Sequence, residues 1–260
     1  MFEVPSLRPE SHYGLPAADL LLYNRAYIVG YSYLFRQPRW AAEVIDPENS
    51  RVDIDDRTDT FRIDPRIPPL FRAELDDYRG SGFDRGHLIA SADRRTSLLL
   101  NSETFLLSNM SPQEPTFNRQ IWRILEMQVR DLATMYEEVY VICGPLFDVG
   151  KTIAVLDSSK VPIPHSFFKT IVAEPTSGKL ALWSFVIPNE PAPAGAVTRD
   201  FLVPTEDVEL RAGLALWNRI EDPRFVNKKK NKGRMWSVRK ATESRQRMEN
   251  FMAEVRSRNF

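Results

Sequence analysis

Apolar positions in the first 217 residues follow strand-like and helix-like periods in turn. Apolar runs rich in β-branched and aromatic residues predict strands over 26–35, 39–45, 139–143, 165–173 and 180–187. Gly144 and Pro145 are expected to end the third of these strands. Residues 1–22 are expected to form an irregular arm, and 46–80 a loop with a short strand near 60–63.

Helical spacing dominates the middle of the chain. Asn118 is expected to begin a helix that ends near Tyr136, because the apolar residues between them recur at steps of three and four. A shorter helix is predicted over 206–217. This mixed order of strands and helices favours an α+β fold, with a central antiparallel sheet flanked by helices.

The last 35 residues differ in character, and we divide the chain into a domain of residues 1–217 and a tail of residues 218–260. Seven cations occur between 228 and 240 without an intervening acid: Lys228, Lys229, Lys230, Lys232, Arg234, Arg239 and Lys240. An amphipathic helix is predicted over 237–257, with Arg245 interrupting its apolar stripe. The cations could bind nucleic acid or form a solvated run, and the stripe needs a partner surface.

Composition excludes several classes of protein. Hydrophobic residues make up 43% of the 260, enough for a core, and 35 basic residues balance 35 acidic ones, which argues against a nucleic-acid packaging protein. The single cysteine, Cys143, excludes an internal disulfide and is expected to be a buried, inert thiol. No apolar run is long enough for a membrane span. An intracellular, cytoplasmic location is expected if residue 1 is the native start, and a mitochondrial one if a leader was removed.

Residues 81–88 contain a first candidate site. In an extended strand, Arg85 and His87 point to the same side. This pair suits a site that handles phosphate, with the guanidinium as an anion clamp and the imidazole as a base. A neighbouring cation favours the neutral imidazole, which can accept a proton. Taken alone, a single histidine is more often structural.

A second candidate site lies along one face of the predicted helix. Asn118, Trp122, Glu126 and Arg130 recur at four-residue steps and so form one stripe. Asn118 and Glu126 would lie roughly 12 Å apart along an ideal helix, so they cannot both bind one ion directly. Asn118 could bind a metal while Glu126 holds metal-bound water, which suits Mg²⁺. A solvated face with a Glu126–Arg130 ion pair is the alternative that the spacing leaves open.

Together the two segments resemble the DNA/RNA non-specific ββα-metal endonucleases, a His-Me finger fold. Residues Asp84 to His87 match the DRGH signature of that family. Similarity to its endonuclease G-like members runs in order from about residue 12 to 217, and the matching stretches are 13–16, 78–83, 104–113, 144–147, 165–169, 185–189 and 201–204. The resemblance implies a nuclease domain over 1–217, whereas the tail departs from the family pattern.

The resemblance also implies a role for each matching residue. His87 corresponds to the general base, and Asn118 to the single direct protein ligand of Mg²⁺, for which Mn²⁺ is expected to substitute. Glu126 corresponds to the acid that orients metal-bound waters, and Arg85 to a catalytic or phosphate-positioning arginine. Asn109 corresponds to an asparagine that supports the catalytic group, and two further residues to supporting positions: Asp84 and Arg130. In the tail, the candidate nucleic-acid-binding residues are Lys228, Lys229, Lys230 and Arg234.

The implied activity is hydrolysis of DNA and RNA to 5′-phosphate and 3′-hydroxyl ends, by a homodimer. Two alternatives stay open: a 5′ exonuclease, and an effector nuclease of a defence or cell-death system that an inhibitor or regulatory protein controls. A binding module without catalysis is a third, but the intact set His87, Asn118 and Glu126 argues against it.

Overall fold

A computed structural model describes residues 8–45, 60–136, 138–156, 160–175 and 178–258, without the side chains of 256–258. Its strands are β1 (Leu20–Tyr23), β2 (Ile28–Ser32), β3 (Gln37–Ile45), β4 (Asp84–His87), β5 (Met110–Gln113), β6 (Glu138–Leu146), β7 (Ser166–Glu174), β8 (Ala181–Pro188) and β9 (Leu202–Val203). Seven strands form one antiparallel sheet in the order β1-β2-β3-β6-β7-β8-β9. Strands β4 and β5 form a separate antiparallel pair.

The described helices are α1 (Leu98–Glu103), α2 (Pro115–Phe117), α3 (Arg123–Ala133), α4 (Thr205–Ala212), α5 (Pro223–Lys229) and α6 (Val238–Arg258). A π-helical turn, Asn118–Trp122, joins α2 to α3. Within the described residues, no helix combines the length and hydrophobicity needed to span a membrane.

The central strands are buried because helices cover both faces of the sheet. Along β7, Phe167 and Ile171 point into one hydrophobic cluster, which includes apolar residues of α3. Their neighbours Phe168 and Val172 point into a second cluster, which includes Val208 of α4 and residues that follow it. The fold is therefore α+β, with an antiparallel sheet between two helical layers, as the sequence predicts.

Strand β6 and the N-terminal arm differ from the sequence-based expectation. Strand β6 does not end at Gly144 but runs through Pro145, which pairs in register with Phe167. A Cβ at position 144 would lie 2.4 Å from the carbonyl oxygen of Arg39, so glycine lets β3 approach closely. The expected arm over 1–22 is wrong at its end, because Leu20–Tyr23 pairs with β2 as an edge strand.

Two further expectations are corrected. The helix predicted over 206–217 ends at Ala212, since Gly213 adopts a left-handed conformation (φ +60°) and caps it. In place of the strand near 60–63, Arg62 forms an isolated parallel bridge with Leu106. The part of the predicted loop from 46 to 59 lies outside the described residues.

The tail packs on the sheet through its first half. Trp236 is 8% exposed and meets Trp183 and Phe185 edge-on, at ring-centroid distances of 5.1 and 5.9 Å. At the start of α6, Ala241 is fully buried and the Thr242 hydroxyl donates to the Asp131 carboxylate of α3 at 2.8 Å. The predicted apolar stripe therefore finds its partner surface, the α3 side of the sheet, only over its first turns.

Replacing Trp236 tests whether the tail folds with the sheet. Trp236→Ala should lower the free energy of unfolding by about 3 kcal/mol, because it leaves a cavity against two aromatic rings. Urea unfolding should still show one transition. Phe251→Ala is the matched control, since Phe251 is 63% exposed on the second half of α6 and its loss should cost under about 0.5 kcal/mol. A tail that unfolds in its own transition would contradict this packing.

Candidate active site

Strand β4 carries the DRGH motif into a two-stranded ladder. Antiparallel pairing sets Asp84 opposite Gln113 and His87 opposite Met110. A Cβ at Gly86 would lie 2.1 Å from the buried side-chain atoms of Gln113, so only glycine fits between them. The motif glycine thus lets the ladder close tightly beside His87.

Asn109 anchors the residues that follow His87. It is fully buried, and its amide nitrogen donates to the carbonyl oxygens of Ile89 and Thr104, both at 2.9 Å. Its amide oxygen accepts the Ile89 N–H at 3.0 Å. Because backbone groups occupy both ends of this amide, Asn109 supports the site from the core.

The helix of the site begins earlier than predicted. Pro115 occupies its first turn, where a missing N–H costs nothing, and the Glu114 carboxylate accepts the Phe117 N–H at 2.7 Å. Asn118 therefore lies one turn inside the helix, at the start of the π-helical turn. Such turns recur at functional sites because they shift side chains relative to a regular helix.

A carboxylate links the strand to the helix. The Asn118 amide nitrogen donates to Asp84 Oδ2 at 2.9 Å, and the Arg119 guanidinium binds both Asp84 oxygens at 2.9 and 2.7 Å. An ionised carboxylate can only accept hydrogen bonds, so the NH₂ group of Asn118 must face it. The amide oxygen of Asn118 is consequently directed away from Asp84 and is available to a cation.

An open cleft of about 700 Å³ gathers most of the predicted site. Its lining includes six residues singled out from the sequence: Asp84, Arg85, His87, Asn118, Glu126 and Arg130. Trp122 shares their spacing but is 1% exposed and belongs to the core beneath. Sequence reasoning missed Phe61, Arg119 and Arg123, which also line the cleft.

Phe61 organises the two DRGH side chains. The Arg85 guanidinium lies 4.3 Å above its ring centroid, and the His87 ring lies 5.7 Å away. Phe105 packs edge-on against His87 at 5.0 Å. Arg85 and His87 thus share one side of β4, as the alternation along a strand requires. No signal marked Phe61 in the sequence, because it approaches from a distant loop.

His87 is the histidine that lines this cleft in the described part of the chain. Of the other two, His12 stacks on Tyr140 at 5.9 Å. His165 accepts the Asp148 N–H at 3.0 Å and contacts the Thr152 carbonyl oxygen. Neither has a place in the cleft lining, so a histidine base for this cleft can only be His87.

Glu126 has an unusual charge environment. Burial, together with the nearby Asp93 carboxylate, raises its pKa to about 7, against the opposing effect of Lys169 and Arg130. Arg130 Nη1 is paired with Asp93 Oδ1 at 2.7 Å. The spacing had left open a solvated ion pair between Glu126 and Arg130, but Arg130 is paired with Asp93 instead. This face of the helix is therefore partly buried and belongs to the site.

The donor set fits a cation that keeps most of its water. Among the described residues, no group of three or more His, Cys, Asp or Glu side chains could enclose a metal. A single directed amide oxygen, from Asn118, with the Glu126 carboxyl on the same cleft, instead matches the few protein ligands typical of Mg²⁺. Cys143 takes no part, because it is buried, its thiol donates to the Leu88 carbonyl, and burial raises its pKa to about 12.

The tail cations divide into two groups. The Lys229 ammonium is paired with Glu209 at 2.9 Å on a side chain only 13% exposed, and Lys228 donates to the Leu180 carbonyl oxygen. Lys229 is therefore withdrawn from solvent, contrary to the expectation that it binds nucleic acid. Lys230, Lys232 and Arg234 are exposed, and the last two border a groove together with Arg199.

Comparison with known proteins agrees with this geometry. A sequence model of the DNA/RNA non-specific endonuclease family matches residues 7–222. Mitochondrial endonuclease G of Homo sapiens is 39% identical over 210 residues, covering 78% of this chain and 71% of the relative. Mitochondrial endonuclease G of Caenorhabditis elegans is 35% identical over 238 residues, covering 86% and 77%. Mitochondrial nuclease EXOG of Danio rerio is 33% identical over 221 residues, covering 80% and 64%.

A solved structure is also similar. The structure described as the EndoG/EndoGI complex, on the mechanism of EndoG inhibition, has a chain with a TM-score of 0.78 and 35% identity, covering 85% of this chain and 95% of its own. This neighbour confirms the ββα-metal nuclease fold expected from the DRGH motif. The chain belongs to the DNA/RNA non-specific endonucleases, a family of metal-dependent nucleases that act on nucleic acids.

Proposed function

We propose that this nuclease is Mg²⁺-dependent and cuts DNA and RNA internally, leaving 5′-phosphate and 3′-hydroxyl ends. The observation that carries the proposal is the meeting of His87 and Asn118 in one cleft, with Asp84 holding the Asn118 amide. A base and a metal-directed oxygen on neighbouring elements are two groups by which a nuclease can hydrolyse a phosphodiester.

His87 would take a proton from a water molecule in the cleft. That water attacks the phosphorus in line, the 3′ oxygen leaves, and the phosphate stays on the 5′ end. Arg85 is held by its contact with Phe61, so it can meet a phosphate with its guanidinium already in place. When bound at Asn118, Mg²⁺ supplies positive charge that polarises the phosphate and stabilises the leaving oxygen.

Contacts to the nucleic-acid backbone would give this nuclease only a weak sequence preference. Arg119 and Arg123 line the cleft beside Arg85, and arginines that contact phosphates carry little sequence information. Since Lys232 and Arg234 are exposed and unpaired within the described residues, they and Arg199 would extend this contact to the tail groove.

Partners and location are inferred from the relatives. Those named endonuclease G are mitochondrial by name, and so is EXOG, which supports a mitochondrial site of action. The solved EndoG chain is bound to its inhibitor EndoGI, which supports control of this nuclease by an inhibitory protein. A homodimer is carried over from the family resemblance. Internal cutting is preferred to 5′ exonuclease activity because the family model describes endonucleases.

Substitution of His87 tests the base. His87→Ala should slow cleavage of circular plasmid by about 10³-fold, because a general base contributes on that scale. Binding of DNA, measured by fluorescence anisotropy in EDTA, should change less than about twofold, since the fold and the cleft arginines remain. His12→Ala, at an exposed histidine away from the cleft, is the control and should cut normally. Normal cutting by His87→Ala would reject the assignment.

Substitution of Asn118 tests the metal site. Asn118→Ala should lose cleavage and weaken binding of Mg²⁺, or of Mn²⁺ as a tighter probe, by at least about tenfold in calorimetry. Asp84→Asn should give a smaller loss of affinity, because an amide at position 84 no longer fixes the orientation of the Asn118 amide. His87→Ala should keep wild-type affinity, and EDTA should stop the wild-type enzyme. Unchanged affinity in Asn118→Ala would show that the ligand is elsewhere.

The tail is best tested by point substitutions, since deletion would also remove Trp236. Lys232→Gln with Arg234→Gln should weaken DNA binding and lower the slope of log affinity against log salt by about 1–2, because fewer counterions are released. Lys228→Gln with Arg239→Gln removes the same charge from cations that contact Leu180 and Glu243. This control should leave the slope within about 0.5. Equal slopes for both double variants would assign the whole segment to a solvated surface.

A further inference from the structure

One wall of the cleft continues into a short 3₁₀ turn, Ser91–Arg94. Residues 90–92 line the cleft, whereas the next two side chains are buried behind it, Asp93 at 5% exposure and Arg94 at 1%. Acidic and basic side chains are rarely buried to this degree unless each has a partner. The contacts of Asp93 and Arg94 therefore show what this turn holds in place.

Arg94 attaches the turn to the central sheet. Its Nη2 lies 2.8 Å from Glu43 Oε2 of β3 and donates to the carbonyl oxygen of Ala26 at 2.7 Å. Its Nη1 donates to the carbonyl oxygen of Asp93, also at 2.7 Å. Burial raises the pKa of Glu43, but the two carbonyl contacts do not depend on the charge of that carboxyl group. The turn is therefore held against the sheet in either protonation state of Glu43.

Asp93 connects the turn to α3. Arg130 Nη1 donates to Asp93 Oδ1 at 2.7 Å, and the two side chains are 18% and 4% exposed. An ion pair in water would contribute little, but a guanidinium withdrawn this far from water needs an anion beside it. Burial disfavours the charged form of Arg130, and Asp93 is the largest of the charges that nevertheless raise its pKa above the ordinary value. Asp93 therefore keeps a charged Arg130 stable in this position.

The guanidinium of Arg130 also lines the cleft. A guanidinium has five N–H donors, and the contact with Asp93 is made by one nitrogen, which leaves donors on the others for a group in the cleft. Phosphate oxygens suit these donors because they accept charge-assisted hydrogen bonds. The cleft thus contains two guanidinium groups held from different elements, Arg85 against Phe61 and Arg130 against Asp93.

We infer that Asp93 is a positioning residue for substrate binding, whose carboxylate holds the Arg130 guanidinium where it contacts a phosphate of the nucleic-acid backbone. The inference rests on the proposed function of the cleft, because that function supplies the phosphate. Asp93 acts through Arg130 and does not touch the substrate. A guanidinium that a buried carboxylate already holds loses less side-chain freedom on binding than one that moves freely in water.

Substitutions at both ends of the contact test the inference. Arg130→Gln removes the guanidinium and should weaken binding of a fluorescein-labelled DNA duplex by about tenfold, because a charge-assisted hydrogen bond is lost. Asp93→Asn keeps the size of the side chain but removes its charge. It should weaken binding by about threefold to tenfold, because the guanidinium must then be ordered on binding. Both affinities are measured by fluorescence anisotropy in EDTA at constant salt.

The double variant decides whether Asp93 acts through Arg130. Adding Asp93→Asn to Arg130→Gln should change the affinity by less than about 1.5-fold, because the group that Asp93 positions is already absent. If the two losses multiply instead, Asp93 affects binding by another route and the inference is overturned. Unchanged affinity in Asp93→Asn alone would overturn it as well.

Asp131→Asn is the matched control. Asp131 is the next residue of α3 and is 2% exposed, but its carboxylate faces the tail helix, where Arg245 Nε lies 3.3 Å away and the Thr242 hydroxyl donates at 2.8 Å. The substitution removes the same charge from a buried acid, so it should lower the free energy of unfolding but leave DNA affinity within about twofold. An equal loss of affinity in both variants would assign Asp93 to the fold alone.

A further comparison covers the case in which Asp93→Asn does not fold because Arg130 is left without its anion. The double variant with Arg130→Gln should then regain a folded state in urea unfolding, since neither buried charge remains unpaired. If the double variant stays unfolded, Asp93 supports the turn by itself and the inference is overturned.

Cleavage in Mg²⁺ separates this inference from the proposed function. Asp93→Asn should raise KM by the same factor as the loss of affinity and change kcat by less than about twofold. A lower kcat with unchanged affinity would mean that Arg130 acts on the reacting groups, which overturns the inference and leaves the nuclease proposal on His87 and Asn118. If no variant and no wild-type protein cleaves, the nuclease proposal fails, while the binding measurements in EDTA still decide the role of Asp93.

Discussion

The hydrogen bond from Asn118 to Asp84 joins the two halves of the site. Asp84 belongs to a short strand and Asn118 to a helix 34 residues later, and each element alone presents only part of the chemistry. Because the carboxylate can accept but not donate, one contact fixes both the distance between the elements and the direction of the amide oxygen. The bidentate arginine beside it holds the carboxylate in that position.

Around this hydrogen bond, the residues that support the site are different from those that line the cleft. Asn109 and Gly86 hold the strand in place from the core, and neither has a free polar atom or side chain to offer a substrate. Arg85 and His87 rest on Phe61 at the edge of the cleft. Rigid support behind these side chains would lower the reorganisation needed when a phosphate binds.

The sequence predicts the parts of this molecule that depend on local pattern. Five of the seven sheet strands, β2, β3, β6, β7 and β8, and most of the helix around Asn118 follow from apolar periodicity, and the DRGH motif identifies His87 and Arg85. Periodicity cannot predict that Phe61 contacts the site, because this contact is long-range. It also cannot predict the burial of Lys169, because a charged residue in a strand normally indicates an exposed position. The pairing of Lys229 with Glu209 depends in the same way on tertiary packing.

The packing of Trp236 shows that the folded unit extends beyond the point where family similarity ends. Similarity to the family ends at residue 222, yet the indole that covers Trp183 and Phe185 comes 14 residues later. A fragment cut where the similarity ends would expose two aromatic rings at the sheet to water, which favours self-association. The C-terminal end of a recombinant fragment should therefore be chosen from the packing of the aromatic rings. The first fragments tested for solubility should end after α6.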